Sequence, residues 1–352
     1  LARGLKQDME FDTKILENND VMIDDQFIGK IDGLKLELDL KKGALETDIK
    51  SLKKAARKTI GPQLEKRIQM ITDSGLVDLK SDFKIYWNNS SIGRLFPGKD
   101  YLNPNIELMV DDMLEQSQRD KLTRYLEKWL KNKIVTILKS LFDLKELQDK
   151  NSSIKALAYQ LYENNGVLKR DRVSEYIKKL DQSDRKTLRD LGVKFGRYHV
   201  FLHKLIKPEP VSLRTLLWKN HHQKFLNLKP PTFGLNFLND DKIKNKDFML
   251  LCGFEKFNNF YVRIDILERL FVQIINSNTG NLKQIKMMPE MLNLLGCNKD
   301  NFKQLLKIMN YKIVEKDNEV FFKYAPKKKI KNENKKDIKE NPFRVLKNLN
   351  FN

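Results

Sequence analysis

Alternating apolar residues occur twice along the chain in closely matching form. Aligning Gly29 on Gly93 also aligns Val21 with Ile85, Ile23 with Trp87, Ile28 with Ile92 and Ile31 with Leu95. Asp24-Asp25 then falls on Asn88-Asn89, and alternation around an Asp or Asn pair predicts a β-hairpin. A further extended run follows in each copy, Leu34–Leu38 and Ile106–Leu108, and the second copy inserts a loop around Pro97, Gly98 and Pro104. Each copy then turns to helical spacing. Leu52, Ala56, Ile60, Leu64, Ile68 and Ile71 match Leu122, Leu126, Leu130, Ile134, Leu138 and Leu141. Gly61-Pro62 is expected to break the first of these helices, and the second has no such break. The repeated unit is therefore hairpin, third strand, long helix.

The pattern over residues 151–228 predicts helices throughout. Ile154, Leu157, Ala158 and Leu161 form one stripe, Val173, Tyr176, Ile177 and Leu180 another, with an Asn165-Gly166 turn between them. Asp181 to Asp184 is a capping run for a helix that Gly192 ends, and Lys229-Pro230-Pro231 marks a boundary. Beyond it, a helix is expected over Val262–Ile275, then Pro289–Leu295, Lys299–Met309 and a hairpin Tyr311–Val314, Val320–Tyr324. Helix, turn, helix, hairpin is the order of a winged helix. The expected fold class is multi-domain α+β, with two repeats at 1–80 and 81–150, a helical segment at 151–229, a winged-helix-like α+β unit at 230–325 and a basic, flexible tail at 326–352 that ends in an Asn341-Pro342-Phe343 element.

Charge changes the picture moderately. Lys and Arg total 67 against 47 Asp and Glu, a net +20, which points to a polyanionic partner such as RNA or DNA. The excess is carried by 52 Lys and only 15 Arg beside 31 Asn, a bias that an A·T-rich coding sequence also produces. No apolar run approaches bilayer length, so no membrane partner is expected. The two cysteines, Cys252 and Cys297, form no disulfide framework and point to a reducing, cytoplasmic compartment. The chain starts at Leu1 and reads as part of a longer protein.

No phosphate-binding loop, Asp-Glu box, metalloprotease motif or nucleophile elbow is present, so no catalytic, metal or cofactor residue is assigned. His199 and His203, at i, i+4, would share a helical face without a third ligand. What remains is binding surface. Lys121, Arg124, Lys128 and Lys131 lie opposite the apolar stripe of the second long helix, and Lys50, Lys54 and Arg57 lie similarly on the first. Such stripes suit a phosphate backbone, though a solvated helix face is the plainer explanation for either alone. Between Leu188 and Leu202, Gly192 and Gly196 bracket Val193, Lys194 and Phe195, and Arg197, Tyr198 and His199 follow. Glycines admit a close partner, and Tyr198 offers a stacking face; the equal alternative is a helix end packing on its neighbour, with Phe195, Val200 and Phe201 in a core. Lys299, Lys303 and Lys307 share one face of the expected winged-helix helix.

The run from Leu188 to Trp218, with Leu-Gly-Val-Lys-Phe-Gly, His-Val-Phe-Leu and Leu-Ile-Lys-Pro, resembles the C-terminal region of alphaproteobacterial ATP-dependent superfamily-two helicases, which are similar to the RNA helicase of the mitochondrial degradosome. Phe27–Leu34, Val262–Leu270, Met288–Cys297 and Asn341-Pro342-Phe343 extend the resemblance over nearly the whole chain. It implies an accessory C-terminal part that holds or guides RNA or DNA, with ATP and Mg²⁺ used by upstream domains whose motifs are absent here, and a protein partner for the tail. The alternative is a non-enzymatic nucleic-acid-binding regulator or scaffold without a motor.

Overall fold

In the computed structural model the described residues are 13–23, 25–39, 46–149, 152–239, 245–277, 284–317 and 319–325. The basic tail expected at 326–352 lies outside them. The fold is α+β, built from five small antiparallel sheets among the described residues. Two compact units divide it, one ending at Arg269 and the other starting at Leu270.

The duplication is visible strand by strand. Strands β1 (Thr13–Ile15), β2 (Asp20–Ile23), β3 (Gln26–Asp32) and β4 (Lys35–Leu38) precede helix α1 (Glu46–Ser74). Strands β5 (Val77–Leu79), β6 (Lys84–Trp87), β7 (Ser90–Phe96) and β8 (Asn105–Leu108) precede α2 (Gln116–Ile137). Both sheets are meanders in chain order. Val21 pairs with Gly29 and Ile85 with Gly93, and the register shifts immediately afterwards in both hairpins, so the copies share even a β-bulge. A side chain at Gly29 would run into the Glu37 carbonyl of β4, which explains the glycine. The sequence pattern did not show the leading strands β1 and β5; because β5 pairs with β6, the second sheet starts before residue 81.

Ile60, Leu64, Ile68 and Ile71 of α1 and Leu130, Ile134, Leu138 and Leu141 of the second copy are buried, as the apolar stripe requires. Pro62 does not break α1. Its ring is exposed, and the buried Ile60 and Leu64 on either side hold the helix through the missing hydrogen bond. The second copy breaks instead at Leu138, which leaves helical dihedrals before α3 (Lys139–Phe142). Asp111 ties the copies together: its Oδ2 accepts from the Leu36 amide at 3.2 Å, and its own amide donates to Leu34 O at 2.9 Å.

Residues 151–229 are mostly helical, but they also carry a sheet. Helix α4 (Ser152–Glu163) is followed by β9 (Val167–Lys169), α5 (Ser174–Lys179), α6 (Gln182–Asp190), β10 (Val193–Phe195) and β11 (His199–Leu202). The order in the sheet is β10-β11-β9, with the last strand central. The strand order recurs in α7 (Pro208–His221), β12 (Phe237–Asn239), α8 (Lys246–Leu251), β13 (Phe254–Phe257) and β14 (Phe260–Arg263), ordered β12-β14-β13, with one helix instead of two before the hairpin among the described residues. Helix α9 (Ile264–Ser277) starts two residues later than its apolar pattern suggested, because Val262 and Arg263 complete β14.

The second unit contains the winged-helix-like end expected from the pattern. After α9 come β15 (Ile285–Lys286), α10 (Pro289–Leu295), α11 (Lys299–Ile308), β16 (Tyr311–Lys316) and β17 (Glu319–Tyr324), ordered β15-β17-β16. Phe302 and Tyr311 meet Phe322 edge-on in its core. The strand order of a winged helix is thus present three times, with the full helix pair in the first and last, and local chemistry repeats with it. Asp181, Asn245 and Asn298 each cap the helix before the hairpin by accepting from the amide three residues on, at 2.7, 2.8 and 2.8 Å. Gly192, Gly253 and Asn310, all at positive φ, turn the chain from that helix into the hairpin.

Candidate nucleic-acid interface

Helix α2 buries Leu122, Leu126, Leu130 and Ile134 and turns its other face to solvent. Along that face Lys121, Arg124, Lys128 and Lys131 are exposed. Lys121 donates to Gln69 Oε1 of α1 at 2.6 Å, and Arg124 Nε to the Asp120 carbonyl at 3.2 Å. No ion pair engages any of the four among the described residues. On α1, the side chains of Lys50, Lys54 and Arg57 lie outside the described set.

The glycine-bracketed segment packs on the protein itself, the second of its two readings, while its cations stay exposed. It is the β10–β11 hairpin, and its tip closes on the protein itself. The amides of Arg197, Tyr198 and His199 all donate to the Glu268 carboxylate of α9, the latter two at 3.0 and 2.8 Å. A side chain at Gly196 would collide with that carboxylate, so the close approach the glycine permits is to Glu268. Lys194 and Arg197 remain exposed on the hairpin, whereas Tyr198 is half-buried with its hydroxyl inside. His199 lies on a strand, not on a helix with His203. It is 3 % exposed, with Nδ1 3.1 Å from Glu268 and Nε2 3.6 Å from Glu255, which Lys169 meets at 2.8 Å. Burial opposes its charge, but the two carboxylates outweigh that and raise its pKa. The pairing with His199 and Lys169 holds the Glu255 pKa low against its own burial.

On α11, Lys303 is drawn back to Glu315 of β16 at 2.6 Å with its side chain only 20 % exposed, while Lys307 is exposed. Of the cations expected on this helix, Lys303 therefore serves the unit's own hairpin.

Two features escaped the sequence pattern. Arg214 is fully buried on α7 and donates to the carbonyls of Asn165, Leu205 and Leu251 at 2.7–2.9 Å. It staples three segments of the chain, and burial depresses its pKa. The second feature is an open cleft of about 480 Å³ between β5, the C-terminal part of α2 and α7. Leu79, Ile137, Leu213, Leu216 and Pro230 make its apolar floor. Ser81, Ser212, Thr215, Lys133, Lys219 and Glu209 complete the lining. Lys133 is 3.8 Å from Asp78, and Lys219 Nζ lies 5.7 Å from the ring centre of Phe83. Partial burial and then the like charge of Lys229 lower the Lys219 pKa.

The first copy closes the equivalent place. There Arg67 donates through Nη1 to Gly33 O at 2.7 Å and through Nη2 to Asn19 Oδ1. Under the repeat alignment, Asn19 corresponds to Phe83 and Arg67 to Ile137. Asn19 and Phe83 share the left-handed backbone, φ 69° and 66°, and the same hydrogen bonds, from Asn19 N to Leu16 O and from Phe83 N to Lys80 O. That correspondence was readable once the repeat was aligned.

Among the described residues no group of His, Cys, Asp and Glu could hold a metal ion, and no helix is long and apolar enough to cross a membrane. Burial pushes the Cys252 thiol up to about 12, so it is a poor nucleophile. Comparison with family models, curated proteins and solved structures found no match to this chain.

Proposed function

We propose that this chain binds the phosphate backbone of RNA or DNA, as the accessory C-terminal part of an ATP-dependent helicase. The observation that carries the reading is the cationic face of α2. The helix holds six Lys and Arg against two carboxylates, and Lys121, Arg124, Lys128 and Lys131 project from it without ionic partners among the described residues. Such a row meets successive phosphates without reading bases, so binding is electrostatic and indifferent to sequence. The resemblance to superfamily-two helicases supplies the motor context, and ATP and Mg²⁺ belong to its upstream domains. The winged-helix topology supports a second reading, a binding module without a motor; a phosphate-binding loop and an Asp-Glu box in the upstream reading frame would decide for the helicase.

The test is affinity of the purified chain for unrelated single strands and duplexes across a salt series. Replacing Lys121, Arg124 and Lys128 by Gln is expected to weaken binding on all sequences alike and to lower the salt slope by about two to three units, roughly 0.7–0.9 per phosphate contact. Binding that survives high salt, or strong preference for one sequence, would contradict the proposal.

A further inference from the structure

We propose that the cleft between β5, α2 and α7 is a nucleotide subsite, which takes one phosphate of a single strand on Lys133 and Lys219 and the attached base on its apolar floor. The inference rests on the nucleic-acid reading above and gives that reading a place in the fold.

Size and lining fit such an occupant. The volume, about 480 Å³, is within the range of small-ligand sites, and the lining joins five apolar residues to a few polar and charged ones. A base has a flat apolar face, for which Leu79, Ile137 and Leu216 provide a partner surface. Its sugar and phosphate need donors, which Lys133, Lys219 and the Ser81 and Ser212 hydroxyls supply.

Charge fits as well. Lys219 and Lys229 are close enough to repel each other, and neither has an ion pair among the described residues. An anion on Lys219 would offset that like charge, and Lys133 lines the same cleft. Lys133 belongs to the same helix as the exposed row Lys121, Arg124, Lys128 and Lys131, but it lies on the helix side of Leu130 and Ile134, away from that row, so the cleft is a site separate from the row. The carboxylates nearby are Asp78, 3.8 Å from Lys133, and Glu209, and a phosphate has to displace Asp78 from Lys133.

The comparison of the two copies supplies an independent argument. Where the first copy has an Asn at left-handed φ bonded to an Arg, the second has Phe83 and Ile137. A Phe in that backbone region is strained, and here its ring centre lies 5.7 Å from Lys219 Nζ, a lining group of the cleft. The polar bridge that fills the first copy is therefore absent where the second copy opens.

The experiment uses the full chain, with adenosine monophosphate and short oligo(U) and oligo(dT) as probes. The variants are Lys133→Gln/Lys219→Gln, the charge-conserving Lys219→Arg, and the α2 row variant. The expected result is that the double Gln variant loses mononucleotide binding, weakens oligonucleotide binding about tenfold and lowers the salt slope by about one unit. Lys219→Arg should keep most of the affinity, which separates loss of charge from loss of fold. If the row variant loses oligonucleotide binding and the double Gln variant does not, the subsite is overturned while the proposed function stands. If the wild-type chain binds no oligonucleotide at low salt, the proposed function falls, and the monophosphate decides the subsite: binding abolished by the double Gln variant supports it, and no binding overturns it.

Discussion

The two sheet-and-helix copies have the same interior and different margins. Inside, Val21 and Ile85, Ile60 and Leu130, and Leu64 and Ile134 occupy matched buried positions, and even the bulge beside Val21 and Ile85 is shared. At the margin, Arg67 and Asn19 cross-link α1 to its own sheet, whereas Ile137 and Phe83 leave a cleft. The second copy also carries the longer β7–β8 loop, from which Tyr101 reaches Asn165 Oδ1 at 2.5 Å, beside the buried Arg214. Burial pushes the Tyr101 hydroxyl up to about 12, so it stays a proton donor to that oxygen. A core must be filled in either copy, so duplication preserves it; edges answer only to what touches them, and there the copies separate.

If the interiors are equivalent, matched truncations should cost the same. Ile68→Ala and Leu138→Ala each remove a fully buried side chain and are expected to destabilise by about 2–5 kcal/mol. Denaturant unfolding of both variants checks this, and a cost below ~1 kcal/mol for one beside ~3 kcal/mol for the other would break the equivalence. The margins should differ in kind. Arg67→Met keeps the bulk but strands the Gly33 carbonyl and the Asn19 side chain, at an expected cost of about 1–3 kcal/mol. A smaller effect is expected at Phe83. Phe83→Asn gives up part of a half-buried ring but relieves left-handed strain, so its stability should stay within ~1 kcal/mol of wild type. A loss of several kcal/mol there would mean that the ring serves the core rather than the cleft.

These margins also mark where sequence reading stopped. The repeat was legible because its signal is long: many apolar residues, two glycines and a helical stripe agree at a fixed offset. The C-terminal winged helix was legible because its hairpin strands are six residues each. Strands β9, β10 and β11 have only three or four residues, too few to show alternation, and they sit among helical stripes that absorb them. Gly61-Pro62 misled for the opposite reason, since the local rule against proline yielded to burial on both sides. Of the proposed contact residues, Lys121, Arg124 and Lys128 were visible as a stripe. The bond from the hairpin tip to Glu268 joins residues about seventy positions apart, so no local pattern announces it. Lys133 and Lys219 likewise come together only when α2 and α7 pack.

The smallest predicted effect sets the duplicated copies against the β10–β11 hairpin. Neither copy contains a histidine, whereas the hairpin is anchored at His199 between Glu255 and Glu268, with Lys169 on Glu255 and Arg170 donating to the Gly196 carbonyl. The folded pKa of His199 is raised above its ordinary value of 6.5. The stabilisation it contributes is therefore complete below that value and is lost as pH rises through the folded pKa. Glu255, whose pKa is lowered, acts in the other sense: its contribution is present above the ordinary carboxylate value and lost as pH falls through the folded one. Hydrogen exchange, corrected for the intrinsic pH dependence of amide exchange, should thus show protection in β10 and β11 falling as pH rises above the ordinary histidine value of 6.5. Protection in β2–β3 and β6–β7 should stay constant over the same range. His199→Gln should remove most of the pH dependence and leave the two copies untouched. If β10 and β11 are equally protected at both ends of the range, His199 does not titrate there, and the hairpin is held by the backbone amides on Glu268 alone.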